Sequence, residues 1–429
     1  MQEVRRESKH KNVILLKGAR QVGKTTMLKQ MFSGDEHVLI DFYEQAAIPR
    51  LIDQTDSFED FELLLERYAN FVSDGKRILI IDEAQLSKKL GLYVRLMKEK
   101  WINQPVILTG STLSELFDDI SNPVGRVVEF TLRPFNFYEF LDCLGEDGIL
   151  KRIRSWNIGN PHSELVHEEI LNLLFEYVSV GGLPAVVNQY GIDRENKDEL
   201  WKRELENIIA YYKRDVESVK KSQLISLFEQ TLKRLAVTTG SITKDSTIVK
   251  SSSPGYRHVK DIFALLEEWK IVIRVDVILS RMSKIGSMAP KRFLFDHGVR
   301  NYFTPLNLNM ADADYVRSEF GEGIIEQFIL TELTSLNLTG KVDCWMATHQ
   351  SGEVDFLFSF LNKIFAIEVK SAKKLNLNHL TSLMTLKEMR PEVNAILTNL
   401  SQGELFQSRI DKIPILPAYQ LFNYLSSLQ

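Results

Sequence analysis

Four short apolar runs punctuate the first part of the chain: Val13-Ile14-Leu15-Leu16, Val38-Leu39-Ile40, Ile78-Leu79-Ile80-Ile81 and Val106-Ile107-Leu108. Continuous apolar runs of this length read as buried strands. After the first of them, Thr25 to Phe32 places Met27, Leu28, Met31 and Phe32 at helical spacing. Strand and helix alternate from residue 11 to about 140, which predicts a parallel sheet with flanking helices, an α/β fold. Arg133-Pro134-Phe135 closes this region, because proline restricts the residue before it. Phe135 to Tyr212 then reads mostly helical, with a break at Gly181-Gly182-Leu183-Pro184. Leu224 to Trp269 reads as three short helices around a Ser/Thr-rich turn, Thr243 to Ser253, and Lys270 to Leu279 alternates like a strand. Helices followed by a short β element suggest a winged helix-turn-helix.

The last region begins near Lys291-Arg292-Phe293-Leu294-Phe295-Asp296. A helix carries Gly323-Ile324-Ile325-Glu326-Gln327-Phe328, and Gly352 to Phe358 reads as a strand. A hairpin turn at Leu361-Asn362-Lys363 leads to a second strand, Ile364 to Lys370. There Glu368 and Lys370 alternate with apolar residues, so both point to one face. The hairpin brings Asp355 close to them.

Between the first strand and the first helix stands Gly18-Ala19-Arg20-Gln21-Val22-Gly23-Lys24-Thr25, which fits the phosphate-binding pattern G-x-x-x-x-G-K-[ST]. A polyphosphate is a dense anion. Gly18 and Gly23 permit the tight curvature that lets backbone N–H groups converge on it, and the next helix adds its positive end. Lys24 is placed for the β and γ phosphates, and Thr25 for Mg²⁺. Arg77 to Gln85 reads as an apolar strand ending in two carboxylates: Asp82 suits the metal, and Glu83 suits polarising an attacking water. Thr109-Gly110-Ser111 ends the fourth run, where Thr109 or Ser111 could sense the γ-phosphate if the sheet is parallel. A plain strand-to-loop turn explains Gly110 and Ser111 equally well.

The C-terminal constellation suggests different chemistry. Asp355 and Glu368 make a Mg²⁺ site in outline, with Lys370 placed to stabilise charge on a phosphodiester and Glu326 as a fourth member. The alternative is a hairpin with a charged exposed face. Lys244, Lys250, Arg257, His258 and Lys260 give the winged-helix region positive charge for DNA, while Glu267 and Glu268 oppose it, so that region reads as a DNA-binding or as a packing module.

Composition narrows the class rather than the function. The 429 residues, 44% hydrophobic and 26% charged with a net charge of −4, suit a multidomain soluble protein with no global pull toward nucleic acid or membrane. Cys143 and Cys344 make no disulfide framework and no zinc cluster. Met1 to Asn12 is polar and basic, unlike a signal peptide, and no apolar run has the length of a membrane span, so a cytoplasmic location is expected.

Taken in order, these motifs resemble the bacterial and archaeal AAA-type ATPases that join an N-terminal P-loop ATPase to a C-terminal restriction-endonuclease-like domain of unknown function. The carrying strings are Gly18 to Thr26, Asp82-Glu83, Thr109-Gly110-Ser111, Gly125-Arg126, Pro134 to Phe140, Gly181 to Pro184, Arg214-Asp215, Glu353 to Phe356 and Ile367 to Lys370. Ala19 stands where the family usually has proline. Members usually carry a helical stretch before the first strand that helps contain the adenine. Here only Met1 to Asn12 precede it.

The resemblance implies ATP and Mg²⁺ as cofactors, with Gly18, Ala19, Arg20, Gln21, Val22, Gly23, Lys24, Thr25, Thr26, Asp82 and Ser111 around the nucleotide. It implies Arg126 as an arginine finger, with a helix-capping surface arginine as the alternative. The expected organisation is 1–140 for the P-loop core, 141–215 for a helical lid or linker, 216–284 for the winged-helix-like part and 285–429 for an α+β nuclease-like domain. The expected activity is Mg²⁺-dependent ATP hydrolysis driving a switch. The alternative is an ATP-regulated DNA-binding or DNA-cleaving enzyme using Asp355, Glu368 and Lys370. AAA-type domains often form rings, which makes a homo-oligomer an expectation too.

Overall fold

The computed structural model describes residues 2–7, 13–101, 103–117, 127–196, 199–218, 222–249, 258–279, 284–285, 288–304, 321–336, 341–347, 352–374, 376–407 and 412–428. The chain forms two compact units, Met1–Arg133 with Glu268–Lys270, and Pro134–Glu267 with Ile271–Gln429.

In the first unit five strands, β1 Val13–Lys17, β2 His37–Asp41, β3 Ile78–Asp82, β4 Val106–Gly110 and β5 Val127–Thr131, pair in the order β2-β3-β4-β1-β5. Every pairing is parallel. Val13 to Leu16, Leu79 to Ile81 and Val106 to Leu108 are buried throughout, which is why these strands carry unbroken apolar runs and no alternation. The helices are α1 Gln2–Glu7, α2 Lys24–Met31, α3 Ala47–Ile52, α4 Phe58–Ala69 and α5 Leu90–Lys100. Ser57 and Asp60 start α4 with a capping box, each side chain meeting the other's backbone N–H. Phe58, Phe61, Leu64 and Leu65 follow as its buried stripe, and Phe61 stacks on Tyr93 of α5 with ring centroids 4.6 Å apart. β4 lies between β1, which leads into the glycine loop, and β3, which ends in Asp82. The carboxyl ends of all three therefore meet on one edge.

The second unit begins with helices α6 Phe137–Cys143, α7 Asp147–Ser155, α8 Glu164–Val180, α9 Pro184–Asn196, α10 Leu200–Ser218, α11 Ser222–Val237, α12 Asp245–Ile248 and α13 Val259–Glu268. Nine strands follow: β6 Val272–Leu279, β7 Lys284–Ile285, β8 Lys291–Leu294, β9 Val342–Met346, β10 Glu353–Phe360, β11 Lys363–Val369, β12 Asn394–Asn399, β13 Glu404–Gln407 and β14 Lys412–Pro417. They form one mixed sheet in the order β13-β14-β12-β11-β10-β9-β6-β7, with β8 also paired to β6. Helices α14 His297–Phe303, α15 Glu322–Leu336, α16 Thr381–Met389 and α17 Leu421–Ser426 complete the unit. The β10–β11 hairpin turns at Leu361 and Asn362, both at positive φ, the conformation that a tight hairpin between twisted strands requires.

Helices α11 to α13 are followed by antiparallel β6 and β8. β6 also pairs in parallel with β9 and is thereby a member of the C-terminal sheet. Lys250 and Arg257, two of the basic residues expected near a recognition helix, lie outside the described residues. His258 is tied to Asp261 at 3.0 Å.

The break at Gly181–Pro184 has a tertiary cause. Gly181 sits at φ +88°, and a Cβ on Gly182 would stand 2.1 Å from the carbonyl oxygen of Phe135. The Asp296 carboxylate accepts from the Gly182 and Val299 N–H groups at 2.7 and 2.9 Å, joining the α8–α9 junction to the start of α14.

Glu332 on α15 is fully buried and accepts from the Phe137 N–H at 2.9 Å. Burial raises its pKa from 4.5 to about 8, against relief from that hydrogen bond. Between those two values the folded chain keeps a proton that the unfolded chain has released, so stability falls as pH rises through this window. Glu332→Gln is expected to match wild type near about pH 5 and to exceed it at about pH 8 by at least about 1 kcal/mol. Urea denaturation at both pH values checks this. A constant difference between the two proteins at the two values would show that Glu332 is ionised throughout.

Candidate nucleotide site and carboxylate pocket

The glycine loop joins β1 to α2. Gln21 and Gly23 both have positive φ, 64° and 87°, and Gly23 caps α2 without a side chain, so the first N–H groups of the helix have no side-chain cap there. Gly18 is needed for space: a Cβ there would lie 2.6 Å from the Leu132 carbonyl oxygen. Lys24 is 6% exposed, and its ammonium donates to the loop's own carbonyls, Gly18 at 3.0 Å and Ala19 at 3.1 Å. Burial lowers its pKa, opposed by the carboxylates of Glu83 and Asp82. Thr25 donates its hydroxyl to Asp82 Oδ2, while Asp82 Oδ1 accepts from the Glu83 N–H at 3.0 Å. The threonine and the strand-end acid are therefore side by side. Arg20 donates to the Tyr43 hydroxyl and lies 5.4 Å from the centre of that exposed ring.

Glu83 sits in the left-handed region at φ +53°. Burial raises its pKa above 4.5, partly offset by Lys24 and by a hydrogen bond from Gln85. Gln85 Nε2 donates to Glu83 Oε2 at 2.5 Å. Its other amide atom, Oε1, is buried with no partner among the described residues and faces Gly110, where a Cβ would lie 2.0 Å from it. Gly110 thus makes room for Gln85. The Thr109 hydroxyl is also buried without a partner among the described residues, and Ser111, one residue past β4, is half-buried. Arg126 and Gly125 lie outside the described residues.

The C-terminal residues also converge, with one addition. Asp355, Glu368 and Glu326 are buried together, and Asp355 Oδ2 accepts from the Val369 N–H at 2.9 Å. Lys370 reaches Glu322 at 2.6 Å and Glu368 at 3.0 Å. The addition is Lys291 of β8, which pairs with Glu326 and Asp355 at 2.9 Å each and with Glu353 at 2.6 Å. Burial alone would lower the Lys291 pKa, but Asp355 and Glu326 hold it well above the usual lysine range. Burial and the Asp355 charge push Glu326 up to about 8. The same two causes raise Glu368 well above its ordinary value, opposed by Lys370.

The expected pair, Asp355 and Glu368, is thus brought together and shares its surroundings with the Lys291 ammonium; among the described residues no group of three or more His, Cys, Asp or Glu side chains is arranged to hold a metal ion. Lys291 and Gln85 are among the site residues that sequence reasoning missed. Gln85 stood in the string behind Asp82-Glu83 and could have been weighed with it. Nothing local marks Lys291, whose partners Glu326 and Asp355 lie 35 and 64 positions away.

Comparison with known proteins agrees with the first unit. The family model of an AAA domain matches residues 10–141. Two domains of unknown function, DUF8612 and DUF4143, match residues 171–310 and 322–420. The uncharacterized protein MJ1544 of Methanocaldococcus jannaschii is 23% identical over 353 residues, spanning 81% of this chain and 72% of its own. Among solved structures, the Walker-type ATPase PABY2304 of Pyrococcus abyssi is similar at 17% identity and a TM-score of 0.45, over 70% of this chain and 93% of that one. The Aeropyrum pernix Orc1 protein, solved in complex with DNA, is similar at 16% identity and a TM-score of 0.27, over 70% and 91%. The motif order thus predicted correctly that an AAA domain is joined to a domain of unknown function. No helix among the described residues is long and apolar enough to cross a membrane.

Proposed function

We propose, from the AAA domain at residues 10–141, that the chain binds ATP with Mg²⁺, hydrolyses it, and uses the γ-phosphate as a switch. The observation that carries this is the meeting of Lys24, Thr25, Asp82 and Glu83 at the ends of β1 and β3. In this reading the N–H groups of the loop from Gly18 to Thr26 receive phosphate oxygens. Lys24 exchanges the neutral carbonyls of Gly18 and Ala19 for the charged β and γ oxygens. Thr25 and Asp82 hold Mg²⁺, which when bound neutralises charge on the phosphates. Glu83 orients and polarises the attacking water, and Gln85 is its positioning residue. Thr109 or Ser111 reports the γ-phosphate from the end of β4, and Arg126 is proposed as an arginine finger on the resemblance alone. Cytoplasmic location and nucleotide-driven self-assembly belong to the same proposal.

Lys24→Ala is expected to lower phosphate release at least about a hundredfold. Equal rates from the two proteins would remove the loop from the mechanism. Glu83→Gln should lose hydrolysis and keep ATP binding by calorimetry.

The pH profile tests Gln85. Hydrolysis needs ionised Glu83, whose pKa is raised above 4.5 by burial, so the acid limb of the rate should lie above that value. The hydrogen bond from Gln85 lowers the same pKa, so Gln85→Ala should move the limb to higher pH. A lower rate with an unmoved limb would leave Gln85 a packing role only.

A second reading is DNA processing by the C-terminal unit. It is favoured by the shared face of Asp355, Glu368 and Lys370, and opposed by Lys291 among the same carboxylates. A plasmid-nicking assay with and without Mg²⁺ decides it. Under this reading Mg²⁺-dependent nicking is expected from wild type and is lost in Lys370→Ala. Cutting that ignores either change belongs to something else.

A further inference from the structure

We propose that the carboxylate pocket of the nine-stranded sheet has one cation place, that Lys291 fills it, and that a divalent metal enters only when that lysine leaves. The inference goes beyond the nucleotide reading and shares no residue with it.

An ammonium group has three N–H donors and no acceptor. Those of Lys291 meet three carboxylate oxygens: Glu326 Oε2 and Asp355 Oδ1 at 2.9 Å, and Glu353 Oε1 at 2.6 Å. With the side chain 1% exposed, its donor capacity is spent on these three partners. Mg²⁺ binds oxygen at about 2.0–2.1 Å and Ca²⁺ at about 2.3–2.6 Å. The carboxylates here stand at ammonium distances around a point that a nitrogen already occupies.

The surroundings are those of a cation site. Glu368 is 6% exposed, carries the neighbouring Asp355 charge, and has its Oε2 buried without a partner among the described residues. Asp355 is fixed from behind by the Val369 N–H. Gly240, at φ +81°, lies close enough that a Cβ would come within 3.0 Å of the Glu326 carboxyl. Five carboxyl groups, those of Glu322, Glu326, Glu353, Asp355 and Glu368, share two ammonium groups, Lys291 and Lys370. Removing Lys291 leaves that excess with one.

Lys291 is also held from the strand it sits on. It bridges to Ile242, and the Thr243 N–H donates to Pro290 O at 3.4 Å. The next residue, Arg292, pairs with Asp245 at 2.9 Å and Glu267 at 3.2 Å, 4.0 Å from the centre of the Phe263 ring. Consecutive residues of β8 thus grip the carboxylates and helices α12 and α13.

Mn²⁺ binding to the full chain without nucleotide, read by electron paramagnetic resonance of the free ion, tests this in four proteins: wild type, Asp355→Asn, Lys291→Met and the double variant. Wild type and Asp355→Asn should bind Mn²⁺ alike. Lys291→Met should gain one Mn²⁺ per chain, bound at least about tenfold more tightly than any in wild type, and the double variant should lose it. If Lys291→Met does not fold by circular dichroism, Lys291→Gln replaces it. If neither folds, wild type against Asp355→Asn decides alone. Asp355-dependent Mn²⁺ in wild type overturns the proposal, because metal and lysine would then coexist. A folded Lys291 variant that gains no Mn²⁺ overturns it as well.

Discussion

A lysine ammonium taken out of water must be met by oxygen at close range, and both sites of this chain are built on that demand. Lys24 and Lys291 are 6% and 1% exposed. Their answers differ in kind. Lys24 is met by two neutral backbone carbonyls, with Asp82 and Glu83 acting from farther off, and burial wins, so its pKa falls. Lys291 is met by three carboxylates in direct contact, and they win, so its pKa rises. Removing one partner from a buried ion pair typically costs about 3–5 kcal/mol, whereas a neutral acceptor is given up more cheaply. One residue type is therefore met once by neutral acceptors and once by a ring of charges.

Sheet geometry decides where each lysine stands. In a parallel sheet the carboxyl ends of neighbouring strands open on one edge, and the β2-β3-β4-β1-β5 order puts β4 between the phosphate-loop strand and the acidic strand. Lys24 begins the helix that leaves that edge. In the mixed sheet the antiparallel β10–β11 hairpin sets Asp355 opposite Glu368, since Phe356 pairs with Ile367 one position further on. Lys291 arrives on β8, which among the described residues joins the sheet through β6.

What the sequence revealed follows from how far each contact reaches. The glycine loop, the Asp82-Glu83 strand end and the Leu361-Asn362 hairpin are local patterns, and all three lie at the strand ends and turn expected of them. Asp355, Glu368 and Lys370 were placed together by period-two alternation and one turn, also local information. Lys291 was hidden because its partners come from β10 and α15, and no periodicity connects them to β8. The same holds for Gly181-Gly182-Leu183-Pro184, which reads as a helix break although its conformation is set by Phe135 and Asp296. A nine-stranded sheet that recruits β6 from the middle of the chain is likewise a long-range fact.

Gly110 shows how such a fact changes the meaning of a motif. Read locally, glycine in Thr109-Gly110-Ser111 is a turn residue. In the fold it is a space residue: any side chain there would collide with the Gln85 amide, whose other end holds Glu83. A side chain at Gly110 would displace the Gln85 amide and with it the hydrogen bond that Gln85 gives Glu83. Glu83 itself stands on a left-handed backbone at φ +53°.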